Sequence, residues 1–461
     1  MRHIHETVAG VALRMLIRHS KKPVLLLSAP LVIPVTGPAI PHGAVAVQGA
    51  RVLHVGTRTW VASKLAEELD EPGLVHERPW HGIITPGLVN AHTHLEYTGM
   101  KEVGKRTYPT FRAWELAFNK IYDSPERKPW KAWSHEGARQ LVCAGTTAAA
   151  DVVSDVEAAD ALASQGLHGI SYWEVMDWNN HDWRERGVRT LLASLDACDR
   201  EGATTLGISP HAPYSLGSEP LLDLPDIARS QGMRLHIHLG ETPLEAGEDA
   251  DTLSNLVADR WNRKAWQGYR ELDAAGAEAS AIQFADGLGE LGPDLHIAHG
   301  VYASAEDRRI LRQRGVVVAL CPRSNRIVSS GIDAPVAAYL AEGNLLAVGT
   351  DSLSSAPTLD VLDDLALLFD TARARGYEEP DLSHRLIRMA TLGGAEAMGL
   401  NVGPGRIGQI NPGALADLAL FDIPVDVSCP QGIEEAFEAF VCEGAGTCAA
   451  TYIEGRCVYE R

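Results

Sequence analysis

Two patterns alternate through the middle of the chain. Short apolar runs recur, each followed by a longer stretch rich in Ala, Leu, Arg and Glu. The runs are GLVNAH at 87–92, GTTAAAD at 145–151, GISYWEV at 169–175, TLGISPH at 205–211, RLHIHLG at 234–240, DLHIAHG at 294–300, GVVVALCP at 315–322 and NLLAVGTD at 344–351. Such runs, bounded by Gly and Pro, read as strands buried on both faces, and the stretches between them as helices. Eight strand–helix repeats predict a parallel sheet closed into a (β/α)8 TIM-type barrel over residues 86–404. The ends of the chain read differently. VLLLSAPLVIPV and AVAVQGARVLHVG within 23–85, and GRIGQINPGALADLALFDI and CAATYIEGRCVY within 405–461, are β-rich and broken by Gly and Pro turns. Neither end holds enough strand for a closed core, so both are expected to share one small β-sandwich.

The barrel reading gives the polar residues positions. Active sites in such barrels sit at the C-terminal ends of the strands. His92, His94, His211, His238, His299 and Asp351 all fall at or just after those ends. In HTH at 92–94 the two histidines are spaced i, i+2, which puts both imidazoles on one face of a strand and lets them converge on a metal ion. Some of these residues have rivals. His236 shares the strand face of His238, but only His238 lies nearer the strand end and precedes a glutamate by three residues. His296 lies deeper in its run than His299. Glu241 also reads as a solvated loop carboxylate, and Asp351 as a helix N-cap.

Composition narrows the field. A formal net charge of −19 argues against nucleic acid or an anionic membrane as the main partner. Seven cysteines without a CxxC pair suggest reduced thiols and a cytoplasmic protein. The basic, partly apolar N-terminus is interrupted by Arg14 and lacks a cleavage site. It reads as an extension, or as a leader to a start at Met15, rather than a signal peptide. The segment 242–290, acidic and then Trp-containing, is the longest insertion between strands, placed to cover a mouth or form an interface.

The ordered set PGLVNAHTH at 86–94, HLGE at 238–241, AHG at 298–300, CPRSN at 321–325, GTDS at 349–352 and GQINPGALADLALFD at 408–422 resembles the amidohydrolase superfamily, in its cytosine/adenosine-type deaminase and triazine hydrolase branch. The resemblance covers nearly the whole chain. It implies His92, His94 and His238 as metal ligands, with Asp351 as the fourth or as partner of a bound water. Three histidines, a carboxylate and a place for water make a catalytic rather than a structural site. One divalent ion is implied, with zinc the default; Fe2+ and Mn2+ also suit nitrogen and oxygen donors. The fourth strand ends in ISPHAPYS without the lysine of binuclear members, so a mononuclear site is expected. A bound ion supplies water that ionises near neutrality. Glu241 would then carry its proton to a ring nitrogen, while His299 and Asp351 position the nucleophile.

The substrate is expected to be a small heterocycle. SPHAPYS resembles the matching segment of methylthioadenosine/S-adenosylhomocysteine deaminases, which implies His211 as a substrate contact and Tyr214 at the mouth; His211 as a structural loop residue is the alternative. HTHLE, with Glu96, and GTDSLSS resemble aminodeoxyfutalosine deaminases of menaquinone biosynthesis more closely. The favoured reading is deamination of 6-amino-6-deoxyfutalosine, then of adenosine derivatives. Hydrolysis of a triazine or a cyclic amide is the alternative within metal hydrolases, and a non-catalytic binding barrel the alternative outside them. Trp114, Trp173 and Trp178 are candidates to stack on a purine. Arg323 and Arg326 could either meet a carboxylate or hold their own loop. A homodimer is the family-level expectation.

Overall fold

The computed structural model describes residues 23–69, 72–242, 245 and 279–461. The N-terminal extension and most of the 242–290 segment lie outside the described residues. Strands β1 (Val24–Val32), β2 (Ile40–Gln48), β3 (Arg51–Thr57), β4 (Val75–Pro79) and β5 (Ile83–Pro86) come first. Eight strands follow: β6 (Leu88–Thr93), β7 (Thr146–Val153), β8 (His168–Val175), β9 (Leu206–Pro210), β10 (Leu235–Leu239), β11 (Leu295–His299), β12 (Val317–Leu320) and β13 (Leu345–Val348). Strands β14 (Leu418–Phe421), β15 (Cys448–Ile453) and β16 (Arg456–Glu460) close the chain.

Strands β6 to β13 lie side by side in chain order, each parallel to the next, and form the TIM-type barrel. All eight apolar runs of the sequence are strands here. They are buried along almost their whole length because one face fills the barrel and the other lies under helices. Helix ends are set locally. In the helix Ala305–Arg314, Ser304 and Asp307 form a reciprocal capping box, and Gly315 ends it in the left-handed conformation at φ 69°.

The seam between the last and first barrel strands is stitched at its upper end. Asp351 N–H donates to His92 O at 3.0 Å. Asn90 Nδ2 donates to Thr350 Oγ1 at 2.7 Å, and Thr350 N–H to Asn90 Oδ1 at 3.2 Å. The approach is close enough to need a glycine. A Cβ on Gly349 would lie 2.7 Å from His92 Cβ and 2.9 Å from the His92 backbone N and O.

The chain ends share a second sheet, with strand order β16-β15-β14-β5-β1-β2-β3. Strand β14 pairs antiparallel with β5, which joins the two ends. Leu27, Val45, Ile84, Leu418, Leu420 and Tyr452 meet in one apolar cluster. Val61 and Leu65 of the helix Arg58–Glu68 cover the opposite face. Two features depart from a purely antiparallel, all-β unit. Strands β4 and β5 run parallel to β1, because the chain crosses over through that helix before returning. Residues Pro430–Glu443 form a helix whose Ile433, Phe437 and Phe440 pack on the main core. Their near-fourfold spacing is the helical period. No helix among the described residues is long and apolar enough to cross a membrane.

Asp417 joins the barrel to this second sheet. Its backbone carbonyl accepts from Gly87 N–H and its Oδ1 from Glu454 N–H, both at 2.9 Å. Its Oδ2 lies 3.2 Å from His168 Nε2 at the start of β8. Burial lowers the affinity of His168 for a proton, but the Asp417 carboxylate more than offsets this and the imidazole pKa is raised.

Two predictions follow from these junctions. Gly349→Ala must displace His92 or the β13 end, costing about 1–3 kcal/mol as overpacking; calorimetry should show a lowered melting temperature, with reduced metal content in the same preparation. The folded His168 keeps its proton to higher pH than the unfolded one. Its contribution is therefore full below the unfolded pKa and lost as pH rises through the folded one. His168→Gln should destabilise by roughly 1 kcal/mol near pH 6 and by less near pH 9, in denaturant titrations at the two values.

Candidate active site and metal centre

The upper ends of β6, β10 and β13 bring four candidate ligands together. His92 lies in β6 and His94 one residue beyond it; His238 lies in β10; Asp351 follows β13 by three residues. His94 Nε2 and His238 Nε2 are 3.3 Å apart. Asp351 Oδ1 is 3.6 Å from His92 Nε2 and 3.7 Å from His94 Nε2. Tetrahedral zinc with bonds of about 2.0–2.1 Å sets its donor atoms roughly 3.3–3.4 Å apart. The observed edges fit an ion of this kind. His92 Nε2 is buried without a hydrogen-bond partner, as expected of an atom arranged for a metal; the Nδ1 atoms of His92 and His94, on the far side of their rings, are buried without one as well. Burial, with neighbouring imidazoles, pushes the His92 and His238 pKa values well down. Burial brings His94 to about 4. The rings are thereby held neutral, the form that ligates.

Supporting groups fix these ligands. His238 Nδ1 donates to His211 O at 3.0 Å, which turns Nε2 toward the cluster. Asp351 is left-handed at φ 58°. Its Oδ2 accepts from Ser324 Oγ at 2.7 Å and its Oδ1 from Ser352 N–H at 2.6 Å. Asp151 of β7 accepts from Leu95 N–H at 2.9 Å and holds the backbone just past His94. His236 and His296 lie one layer lower. His236 stacks on His92 with ring centres 4.8 Å apart, and its Nδ1 meets Ser209 Oγ at 3.1 Å. His296 Nε2 donates to Ala91 O at 3.0 Å.

Glu241 sits beside the ligand cluster at the cavity wall. Its Oε2 accepts from Tyr214 O–H at 2.9 Å, and its Oε1 lies 3.7 Å from His299 Nε2. Burial raises its carboxyl above the usual carboxylate range. His299 Nδ1 donates to Asn325 Oδ1 at 2.9 Å, leaving Nε2 facing Glu241. His299 is also left-handed, at φ 74°. The loop carrying Glu241 is held by Glu245, whose carboxyl accepts from the N–H groups of Gly240, Glu241 and Thr242 at 2.8–2.9 Å.

The cavity above these groups is lined by His211, Tyr214 and Trp114, as well as Glu241, His299 and Asp351. His211 Nδ1 bonds Ser215 Oγ at 2.7 Å, and Trp114 Nε1 donates to Ser354 O at 2.9 Å. Glu96 is not brought to the cavity. It turns away beneath the β7 end, where it accepts from Ser154 N–H, Ser154 Oγ and Asp155 N–H. Burial raises its pKa to about 7. The observed role of Glu96 is therefore loop anchoring rather than substrate contact. Trp178 packs on Trp183 with Arg186 over its ring, away from the cavity lining, and Trp173 does not line the cavity either. Arg323 pairs with Asp363 and Asp364, and Arg326 with Asp333, so both hold their own region of the chain.

Several site residues escaped the sequence reading. Glu174 lines the cavity from the end of β8, where the strand-end rule alone would have found it. Ser324 and Asn325 lie in the CPRSN motif, but nothing in the motif says which side chains they meet. The helix Phe111–Tyr122 turns Phe111, Trp114, Phe118 and Tyr122 into the cavity. Their i, i+3, i+7, i+11 spacing is visible in the sequence, yet it reads equally as a core face.

The Amidohydrolase family profile matches residues 83–458. The chain is 30% identical over 429 residues to a 5-methylthioadenosine/S-adenosylhomocysteine deaminase of Moorella thermoacetica, covering 90% of this chain and 89% of that one. An adenosine deaminase of Xanthomonas campestris with bound zinc superposes with a TM-score of 0.74 at 21% identity, over 95% of this chain and 93% of that one. Helicobacter pylori aminofutalosine deaminase in complex with methylthio-coformycin superposes with a TM-score of 0.73 at 18% identity, over 94% and 100%. The fold, the converged histidines and the extent of these matches agree, and the chain belongs to the amidohydrolase family.

Proposed function

We propose that the protein hydrolytically removes an amino group from the purine-like ring of an adenosine-type nucleoside, with 6-amino-6-deoxyfutalosine as the favoured substrate. The observation that carries the reading is the setting of Glu241. It stands between Tyr214 O–H and His299 Nε2, beside four ligand groups spaced for one ion. The curated relative's name, methylthioadenosine/S-adenosylhomocysteine deaminase, supports the substrate class. The HTHLE sequence and an aminofutalosine deaminase among the structural neighbours support the finer substrate. Zinc is the proposed ion, and the seven free cysteines fit a cytoplasmic setting.

When bound, the ion supplies an acidified water as nucleophile. Side chains do the rest. Water adds to the ring carbon bearing the amino group. Glu241 takes the water's first proton and delivers it to the adjacent ring nitrogen. Burial raises its carboxyl pKa, which makes it a better proton acceptor than an exposed carboxylate. Tyr214 keeps the carboxyl aimed. His299, whose Nδ1 donates to Asn325, presents its Nε2 lone pair to accept a hydrogen bond from the attacking water, and Asp351 shares in positioning that oxygen. The second proton passes to the departing amine, and ammonia leaves.

Ammonia release by the zinc-loaded enzyme tests this across 6-amino-6-deoxyfutalosine, adenosine, methylthioadenosine, S-adenosylhomocysteine, guanine, cytosine and an aminotriazine. Turnover confined to the 6-amino nucleosides is expected, with 6-amino-6-deoxyfutalosine fastest. Silence on all of them with metal bound would overturn the reading, and turnover of the aminotriazine alone would move it to the triazine hydrolases. Glu241→Gln should keep its metal, measured by elemental analysis, and lose about 10²- to 10⁴-fold in kcat. His92→Ala should lose the metal itself.

A further inference from the structure

Not every carboxyl of the cavity takes part in this chemistry. Glu174, at the end of β8, lines the cavity with its side chain only 3% exposed. Its Oε1 is buried and has no hydrogen-bond partner. His238 Nδ1 is 3.9 Å away, beyond hydrogen-bond reach. That nitrogen is already satisfied by His211 O at 3.0 Å. Glu174 is therefore not the support that orients His238. It is also on the wrong side of the ring to act on the reacting atoms. His238 turns Nε2 toward His94 and the ligand cluster, whereas Glu174 faces the Nδ1 edge.

A buried carboxyl left without a donor costs free energy, and such groups in native proteins find partners. Here the open side is the cavity, so the missing donors come from what binds there. They belong to a part of the substrate away from the carbon under attack. A carboxyl offers two oxygens side by side, which matches two adjacent hydroxyl donors. In a nucleoside that pair is the 2′,3′-diol of the sugar. We propose that Glu174 is a specificity-determining residue that accepts hydrogen bonds from the vicinal hydroxyls of the substrate's ribose. This rests on the nucleoside reading above and deepens it.

The test uses the zinc-loaded enzyme and its Glu174→Gln and Glu174→Ala variants. The substrate is adenosine or methylthioadenosine, whichever is turned over faster, together with its 2′-deoxy and 3′-deoxy counterparts. The wild type should discriminate against each deoxy compound by about 2- to 10-fold in kcat/KM, the worth of an ordinary hydrogen bond. Glu174→Ala should lose a similar factor on the ribonucleoside, mostly through KM, and little on the deoxy compounds, so that the discrimination disappears. Glu174→Gln, which keeps one acceptor, should fall between. Metal content should not change. An equal loss on all three substrates, or loss of metal in the variants, would overturn the role of Glu174 while leaving the deaminase reading intact. A wild type silent on every nucleoside would remove both.

Discussion

Closure of the barrel at Gly349 is the constraint on which the site depends. His92 comes from the first strand of the sheet and Asp351 follows the last. In an open sheet they would be seven strand spacings apart, over roughly 30 Å at about 4.8 Å per strand. Closure sets their side chains 3.6 Å apart. The contact is made through backbone: His92 O accepts the Asp351 N–H, and Gly349 leaves room for the His92 Cβ. His238 enters from β10, across the barrel from this seam, so the distance between its Nε2 and that of His94 reports the barrel's width rather than any local turn. The spacing of the candidate ligands is a property of the whole sheet.

Backbone strain is concentrated at the candidate site. His299 and Asp351 are non-glycine residues held at positive φ, a state that costs on the order of 1–3 kcal/mol each. Unpartnered imidazole nitrogens add to it. One short helix, Pro322–Ile327, restrains both strained residues at once. Its Ser324 holds Asp351 and its Asn325 holds His299. That helix is pinned in turn by Arg323, which reaches Asp363 and Asp364 on the helix Val361–Ala374. Arg323 thus braces His299 and Asp351 through the two residues that follow it in the chain.

Much of this was legible in the sequence because it repeats. Eight apolar runs at barrel spacing specify eight buried strands, and the rule that sites lie at strand ends then selects His92, His94, His238, His299 and Asp351 with no knowledge of contacts. The rule fails for Glu96. That residue is past the strand, where the 3-10 turn Leu95–Met100 swings its side chain down to Ser154. The rule does mark Glu174, but a glutamate near a strand's end resembles any edge carboxylate until its missing partner is seen. The helix Pro430–Glu443 was hidden between β-rich flanks, and only its packing against the helix Val361–Ala374 gives its apolar face a purpose. Side-chain partners from distant segments, such as Asn325 for His299, leave no mark in local spacing.

The cavity divides by origin. Its polar half stands on strand ends, where side chains are rigid and their spacing is inherited from the barrel. Its aromatic half comes from the helix Phe111–Tyr122, in the long connection between β6 and β7, where only the helical period fixes which residues face inward. Connections tolerate change far better than strands do. Proteins with this barrel can therefore keep the ion and the proton carrier while replacing the wall that meets the rest of the substrate. That separation explains why a fold can be shared across most of a chain at low identity without fixing what is bound. It also explains why Glu174 is informative. It is a recognition group placed on the rigid half, so its geometry is set by the barrel, and a donor it selects must lie at a fixed distance from the carbon that is attacked.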